Sequence, residues 1–226
     1  LVYVDGAQLV DEKLAYRFDS ISFEVVDDHR YRHLQERHLK MEGIMTVAVV
    51  SVSTLDSIPS YSAQEIANAL LNDKDINLKT QYNACSFGKL QWELASPHGV
   101  LDARLPALLA SFKSAGDLVT AVQNHLKQKL QISSVADIAD KVIMCIPPGT
   151  GDWAASAGVN HWRVQLNNDW CFSLTGTVHE LGHTVGLRHA NANGVPYADR
   201  SGMMGSGHKN AHWPQKCFNG YHSWKF

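Results

Sequence analysis

From Met45 to Val52 the chain reads M-T-V-A-V-V-S-V, apolar at nearly every position and rich in β-branched residues. A strand covered on both faces has this pattern, because neither side needs polar positions. K-V-I-M-C-I (141–146) repeats it and is stopped by Pro147-Pro148-Gly149. K-L-Q-W-E-L (89–94) and G-V-N-H-W-R-V-Q-L (158–166) instead alternate, as half-buried strands do. Two segments have helical spacing. Residues 62–72 begin with Ser62 as N-cap and Glu65 three positions later. Residues 115–130 place Leu118, Val119, Val122, Leu126 and Leu130 along one face. A third helix is predicted from about Phe172 to Val185, followed by a stretch rich in Gly, Asn, His and Pro with little regular structure. Residues 1–28 suggest short strands. Residues 29–41 are charged, with Leu34, Leu39 and Met41 as sparse apolar positions, and read as a surface helix or linker. The order of strands and helices predicts an α/β sandwich, with residues 1–42 a separate appendage.

Length and charge narrow this outline. With 226 residues the chain suits one large domain or two small ones. Its 20 basic and 22 acidic residues give a net charge of −2, so no basic excess favours nucleic acid or an anionic membrane. No apolar run reaches the ~18 residues that span a bilayer. The chain opens at Leu1 without a signal-type segment, which suggests a processed mature form or a chosen boundary. Cys85, Cys145, Cys171 and Cys217 form no CxxC pair. An even, widely spaced set fits two disulfides in a secreted protein, with three pairings open.

The densest chemistry lies at T-V-H-E-L-G-H-T-V-G-L-R-H (177–189). Positions four apart share one helix face, so His179 and His183 can aim their imidazoles at one point. Glu180, rotated about a third of the way round, reaches past that point to a water. Gly186 can take a positive φ and end the helix sharply. The returning chain then brings His189 up as a third ligand. Three protein ligands leave one position open, the mark of a catalytic rather than a structural zinc site. HExxH alone is weakly specific, but the extended form fixes five positions. A helix that merely carries surface histidines is the rival reading.

The downstream stretch Y-A-D-R-S-G-M-M-G (197–205) supplies a methionine-containing turn. Together with the zinc motif it resembles the metzincin metallopeptidases, and within them the gametolysin-like group. P-P-G-T (147–150), W-A-A-S-A (153–157), W-C (170–171), D-x-S-x-M-M-G (199–205), C-F-N (217–219) with the following S-W, and C-S-F-G-K-L (85–90) carry the resemblance, which runs from about Gly43 to the C-terminus. It implies a metzincin catalytic domain over 43–226. A twisted mixed sheet, backing helices and the active-site helix would form the upper lobe, and an irregular lower lobe would hold the Met-turn. Residues 1–42 match no part of it and read as an N-terminal extension or residual pro-segment.

Carried over by position, His179, His183 and His189 would bind Zn2+, Glu180 would be the general base, and Met204 rather than Met203 would lie under the metal. The implied activity is a secreted zinc endopeptidase that cleaves extracellular proteins, such as matrix or cell-wall glycoproteins, by metal-activated water. Its partner would be a protein or peptide substrate lying along an edge strand, with Trp153–Val159 near that edge; no nucleic acid or membrane partner is implied, and a monomer is expected. Two alternatives are an inactive binding protein on the same scaffold and a structural zinc domain with four ligands. The tyrosine that some metzincins place two residues after the turn methionine is replaced by Ser206, leaving Tyr197 or Tyr221 as substitutes. Cys171–Cys217 with Cys85–Cys145 is the expected pairing. Asp199 reads either as an orienter of a ligand histidine or as an Asx-turn residue. His29 with His33 could form a second metal site, although a solvated helix face is the better reading of them. His161, His208, His212 and His222 read as surface or packing residues.

Overall fold

A computed structural model of the protein describes residues 8–10, 13–15, 42–72, 75–205 and 216–226. The chain divides into two units, residues 1–34 and 35–226. Within the first, β1 (Gln8–Val10) pairs antiparallel with β2 (Lys13–Ala15). The proposed helix or linker at 29–41, with its His29–His33 pair, and His208 and His212 lie outside the described residues.

The second unit is built on a six-stranded mixed sheet. Its centre is β3 (Gly43–Ser53), flanked on one side by β4 (Leu90–Leu94) along its first half and β5 (Val100–Arg104) along its second. On the other side lie β6 (Lys141–Ile146), β8 (Arg163–Asn167) and the edge strand β7 (Ala155–Ala157). All pairs are parallel except β7 with β8. Both faces of the sheet are covered, which is why β3 and β6 are apolar at nearly every position. Met45, Val47, Val49, Ile143 and Cys145 point into one core, and Ala48, Val50, Val52, Val142, Met144 and Ile146 into the other. Helices α1 (Ala63–Leu71), α2 (Leu78–Cys85) and α4 (Leu174–Thr184) contribute to the first core, while α3 (Ala115–Leu130) contributes to the second.

The expected capping box is present at α1, with the Ser62 hydroxyl accepting from Glu65 N–H and the Glu65 carboxylate accepting from Ser62 N–H. Three boundaries differ from expectation. The strand predicted over 158–166 occupies 163–167, because Gly158–Trp162 turns, with Asn160 at φ +56° and His161 N–H donating to Gly158 O. The site helix begins at Leu174, since Asn168–Phe172 winds as a 3-10 segment. The tail contains a short helix, α5 (Gly220–Trp224).

The disulfide pairing is also corrected. Cys85 bonds Cys217, and Cys145 bonds Cys171. The reason lies in the sheet: Cys145 stands opposite Leu166 on β8, and the 3-10 segment folds Cys171 back over Leu166. Cys85 closes α2, where Gln81 one turn earlier donates to Lys216 O and so brings the 216–219 segment alongside. No described helix is long and apolar enough to cross a membrane.

Candidate metal centre

The three histidines are presented by one helix and the turn that ends it. Ser173 caps α4 by accepting from Gly176 N–H, and Val178 and Leu181 bury one face of the helix against Val164 and Leu166. Gly186, at φ +93°, ends it in a Schellman turn: Leu187 N–H donates to Gly182 O, and Gly186 N–H to His183 O. The turn does two things. It returns the chain toward the helix so that His189 arrives beside His179 and His183. It also directs Leu187 O at His183 Nδ1, 2.8 Å away.

One ligand-capable atom from each of His179, His183 and His189 can be chosen so that all lie within 4.8 Å of one another. Ring centroids are 4.9 Å apart for His179–His183, 4.6 Å for His183–His189 and 5.5 Å for His179–His189. His179 Nδ1 lies 2.8 Å from Met203 O. A carbonyl can only accept, so the Nδ1 atoms of His179 and His183 carry the protons, and in this tautomer each Nε2 is the nitrogen able to bind a metal. Burial lowers the pKa of His183 and of His189, and for His189 the neighbouring His183 adds to the effect. Both shifts favour the neutral, ligating form.

The 199–205 turn braces this group from below. Met203 supplies the carbonyl to His179, and Met204 is fully buried with its thioether against Gly182 of α4. Ala190 N–H donates to Met204 O at 2.7 Å, which stitches the His189 segment to the same turn. Asp199 serves the turn rather than a histidine: its carboxylate accepts from Ser201 N–H, Ser201 Oγ and Asn219 Nδ2, and these bonds hold its pKa down to about 2.

A cleft of about 420 Å³ opens over the group, walled by β7 on one side and by residues 188–197 on the other. Glu180 is buried at its wall, 8% exposed, and accepts from Ala157 N–H. Burial pushes its carboxyl up to about 7.

Residues 45–220 match the family described as Gametolysin peptidase M11. The chain belongs to the gametolysin peptidase family. No curated protein matches it. Among solved structures, a chain in "Structure of a chaperone-substrate complex" is similar at 18% identity with a TM-score of 0.36, over 66% of this chain and 24% of that one. Membership makes the protein a metallopeptidase in type, and a group able to hold a metal is present among its described residues.

In this gametolysin-family peptidase, His179, His183 and His189 lie around one point, with Glu180 in the wall of the adjoining cleft. Tyr197 joins them. Its ring centroid lies 3.6 Å from His189 and 6.1 Å from His179, and it lines the cleft. Tyr221 is 61% exposed and lies against His222 and Lys225, so of the two tyrosines Tyr197 is the one beside the histidines. Ser206 lies outside the described residues. Two contributors had no sequence signal of their own. Lys141 is fully buried and its ammonium donates to Thr184 O at 2.9 Å, closing the C-terminal end of α4; burial lowers its pKa to about 8. Tyr82 donates its phenol proton to Val178 O across from α2.

Proposed function

We propose that the protein is a secreted zinc endopeptidase, with residues 43–226 as its catalytic domain. In this reading His179, His183 and His189 hold the ion, Glu180 is the general base, and 199–205 is a Met-turn with Met204 beneath the metal. One observation carries the proposal: three imidazoles converge beside a cleft whose wall also holds a buried carboxyl. The donor set fits zinc, since three imidazoles, with no fourth ligand and no thiolate beside them among the described residues, are a familiar catalytic arrangement for it. A divalent ion there would supply Lewis acidity towards water and a carbonyl, and its charge would draw Glu180 back toward the ionised form.

The chain's own residues do the rest. Glu180, held by Ala157 N–H, accepts a proton from the attacking water and passes it to the leaving amine. The edge strand β7 offers its outer backbone groups to an extended peptide, which adds as a further strand. Ala155, Ser156 and Ala157 are small, so a peptide backbone can approach closely. Two disulfides suit an oxidising compartment, and extracellular proteins, including matrix or cell-wall glycoproteins, are the proposed substrates. The intact Glu180 argues against an inactive binding protein.

Casein or gelatin cleavage tests the reading. Activity should vanish with a chelator, return with Zn2+, and drop by at least ~10³-fold in Glu180→Ala. Cleavage that persists through both treatments would show the mechanism to be wrong.

A further inference from the structure

One fixed positive charge on the cleft rim has no part in this chemistry. Arg188 immediately precedes His189, is exposed, and lines the same cleft as Glu180. Its backbone is held on both sides: Leu187 N–H donates to Gly182 O at 2.9 Å, and Ala190 N–H donates to Met204 O at 2.7 Å. The side chain therefore leaves a fixed point on the rim. Among the described residues no carboxylate pairs with its guanidinium. Glu180, the one carboxylate lining the cleft among the described residues, is buried and bonded to Ala157 N–H. The facing wall, Ala155–Ala157, is small and uncharged, and Asn191 adds a neutral amide to the same rim.

We propose that Arg188 forms a subsite for a substrate carboxylate, so that the enzyme prefers peptides with Asp or Glu close to the cleaved bond. The proposal rests on the endopeptidase reading. A guanidinium presents a planar fork that matches a carboxylate in two parallel hydrogen bonds, whereas a lysine side chain at the same place meets repulsion. For a partly exposed pair, attraction on one side and repulsion on the other amount to roughly a 5- to 30-fold preference for Glu over Lys. A bound dication would also favour acidic peptides, so the contribution of Arg188 is read against a neutral substitution.

The experiment uses zinc-loaded enzyme and peptides that differ only in carrying Glu, Gln or Lys at each position within three residues of the cut. The ratio of kcat/KM for Glu over Lys is compared among wild type, Arg188→Gln and Arg188→Glu. Taking ratios within each variant cancels any general loss of activity. At one position the ratio should be highest in wild type, drop several-fold in Arg188→Gln and drop further in Arg188→Glu, and 0.5 M salt should compress the differences. Equal ratios in all three enzymes at every position would overturn the proposal. Fluorescence anisotropy of the same peptides on zinc-loaded Glu180→Gln, with and without Arg188→Glu, reads the preference without turnover. Charge-ranked binding without any cleavage by wild type would support the subsite and remove the endopeptidase reading. Cleavage with no charge ranking would do the reverse.

Discussion

Gly182 sits inside the site helix between two proposed ligands, where helix propensity alone favours alanine by ~0.8–1 kcal/mol. The structure predicts the opposite outcome. A Cβ built there falls 2.5 Å from Met204 Sδ, 3.3 Å from Met204 Cε and 3.5 Å from Phe218 Cε1. Normal van der Waals separation is about 3.5–4.0 Å, so the overlap with sulfur is about 1 Å. Met204 is fully buried and Phe218 is 6% exposed, so the thioether has little room to retreat. Overpacking of this kind costs ~1–3 kcal/mol. Set against the propensity gain, Gly182→Ala should lose ~0–2 kcal/mol and unfold up to a few degrees below wild type. Met204→Ala alone should lose ~2–5 kcal/mol by opening a cavity. In the double variant the new methyl occupies part of that cavity and no longer clashes. The two changes should therefore couple favourably by ~1–3 kcal/mol, measured by urea titration of all four proteins. A Gly182→Ala protein more stable than wild type, or losses that add within ~0.5 kcal/mol, would refute the close approach of Met204 to the helix.

The two disulfides should differ in worth. Cys85–Cys217 spans 132 residues and Cys145–Cys171 spans 26, so chain entropy assigns them ~5 and ~3.5 kcal/mol, and the double alanine variant of the first pair should have the lower urea midpoint. Tyr197 should act on metal affinity through its ring. Among the described residues His189 meets no carbonyl like those that orient the other two histidines, and Tyr197 packs 3.6 Å from it. Tyr197→Ala should weaken zinc binding about tenfold while Tyr197→Phe stays within about threefold, by competition with a chromogenic chelator; equal losses would remove the stacking role. Lys141 should leave a signature in alkali. Its folded pKa, about 8, lies below the ~10.4 of the unfolded chain, so between these values the unfolded state binds more protons and stability rises with pH, by at most ~1.4 kcal/mol per unit. The rise from pH 8 to 9.5 should be absent in Lys141→Met, and parallel curves would contradict the burial of a charged amine there.

How far the site could be read in advance follows from which interactions are local. The capping box at Ser62 and Glu65, the helical spacing of 115–130 and the buried strands β3 and β6 each carry their signal within a few residues, and each stands where expected. The histidine motif is local too: one helix face, one glycine and one returning turn gather all three rings. Elements without an apolar pattern gave no such signal. Strand β5 reads V-L-D-A-R, β7 is only Ala155–Ala157 with no β-branched residue, and α2 is mostly polar; β5 pairs with β3, β7 with β8, and α2 is tied to distant segments by Leu78 and Tyr82 in the core, the Tyr82–Val178 bond and the Cys85–Cys217 disulfide. The disulfides failed for the same reason. Pairing Cys171 with Cys217 would have tied the segment after the methionine turn to the base of the site helix, but proximity depends on sheet neighbours, and β8 lies directly beside β6. That same adjacency gives the site its second layer. Lys141 opens β6, and because β6 runs beneath the end of α4, its ammonium meets the last carbonyls of the helix, where a cation is favoured by the helix dipole. Thus the three histidines come from a motif visible in thirteen residues, while the parts that brace them come from Lys141, Met203, Tyr82 and Tyr197, at distances along the chain where no periodicity can report a contact.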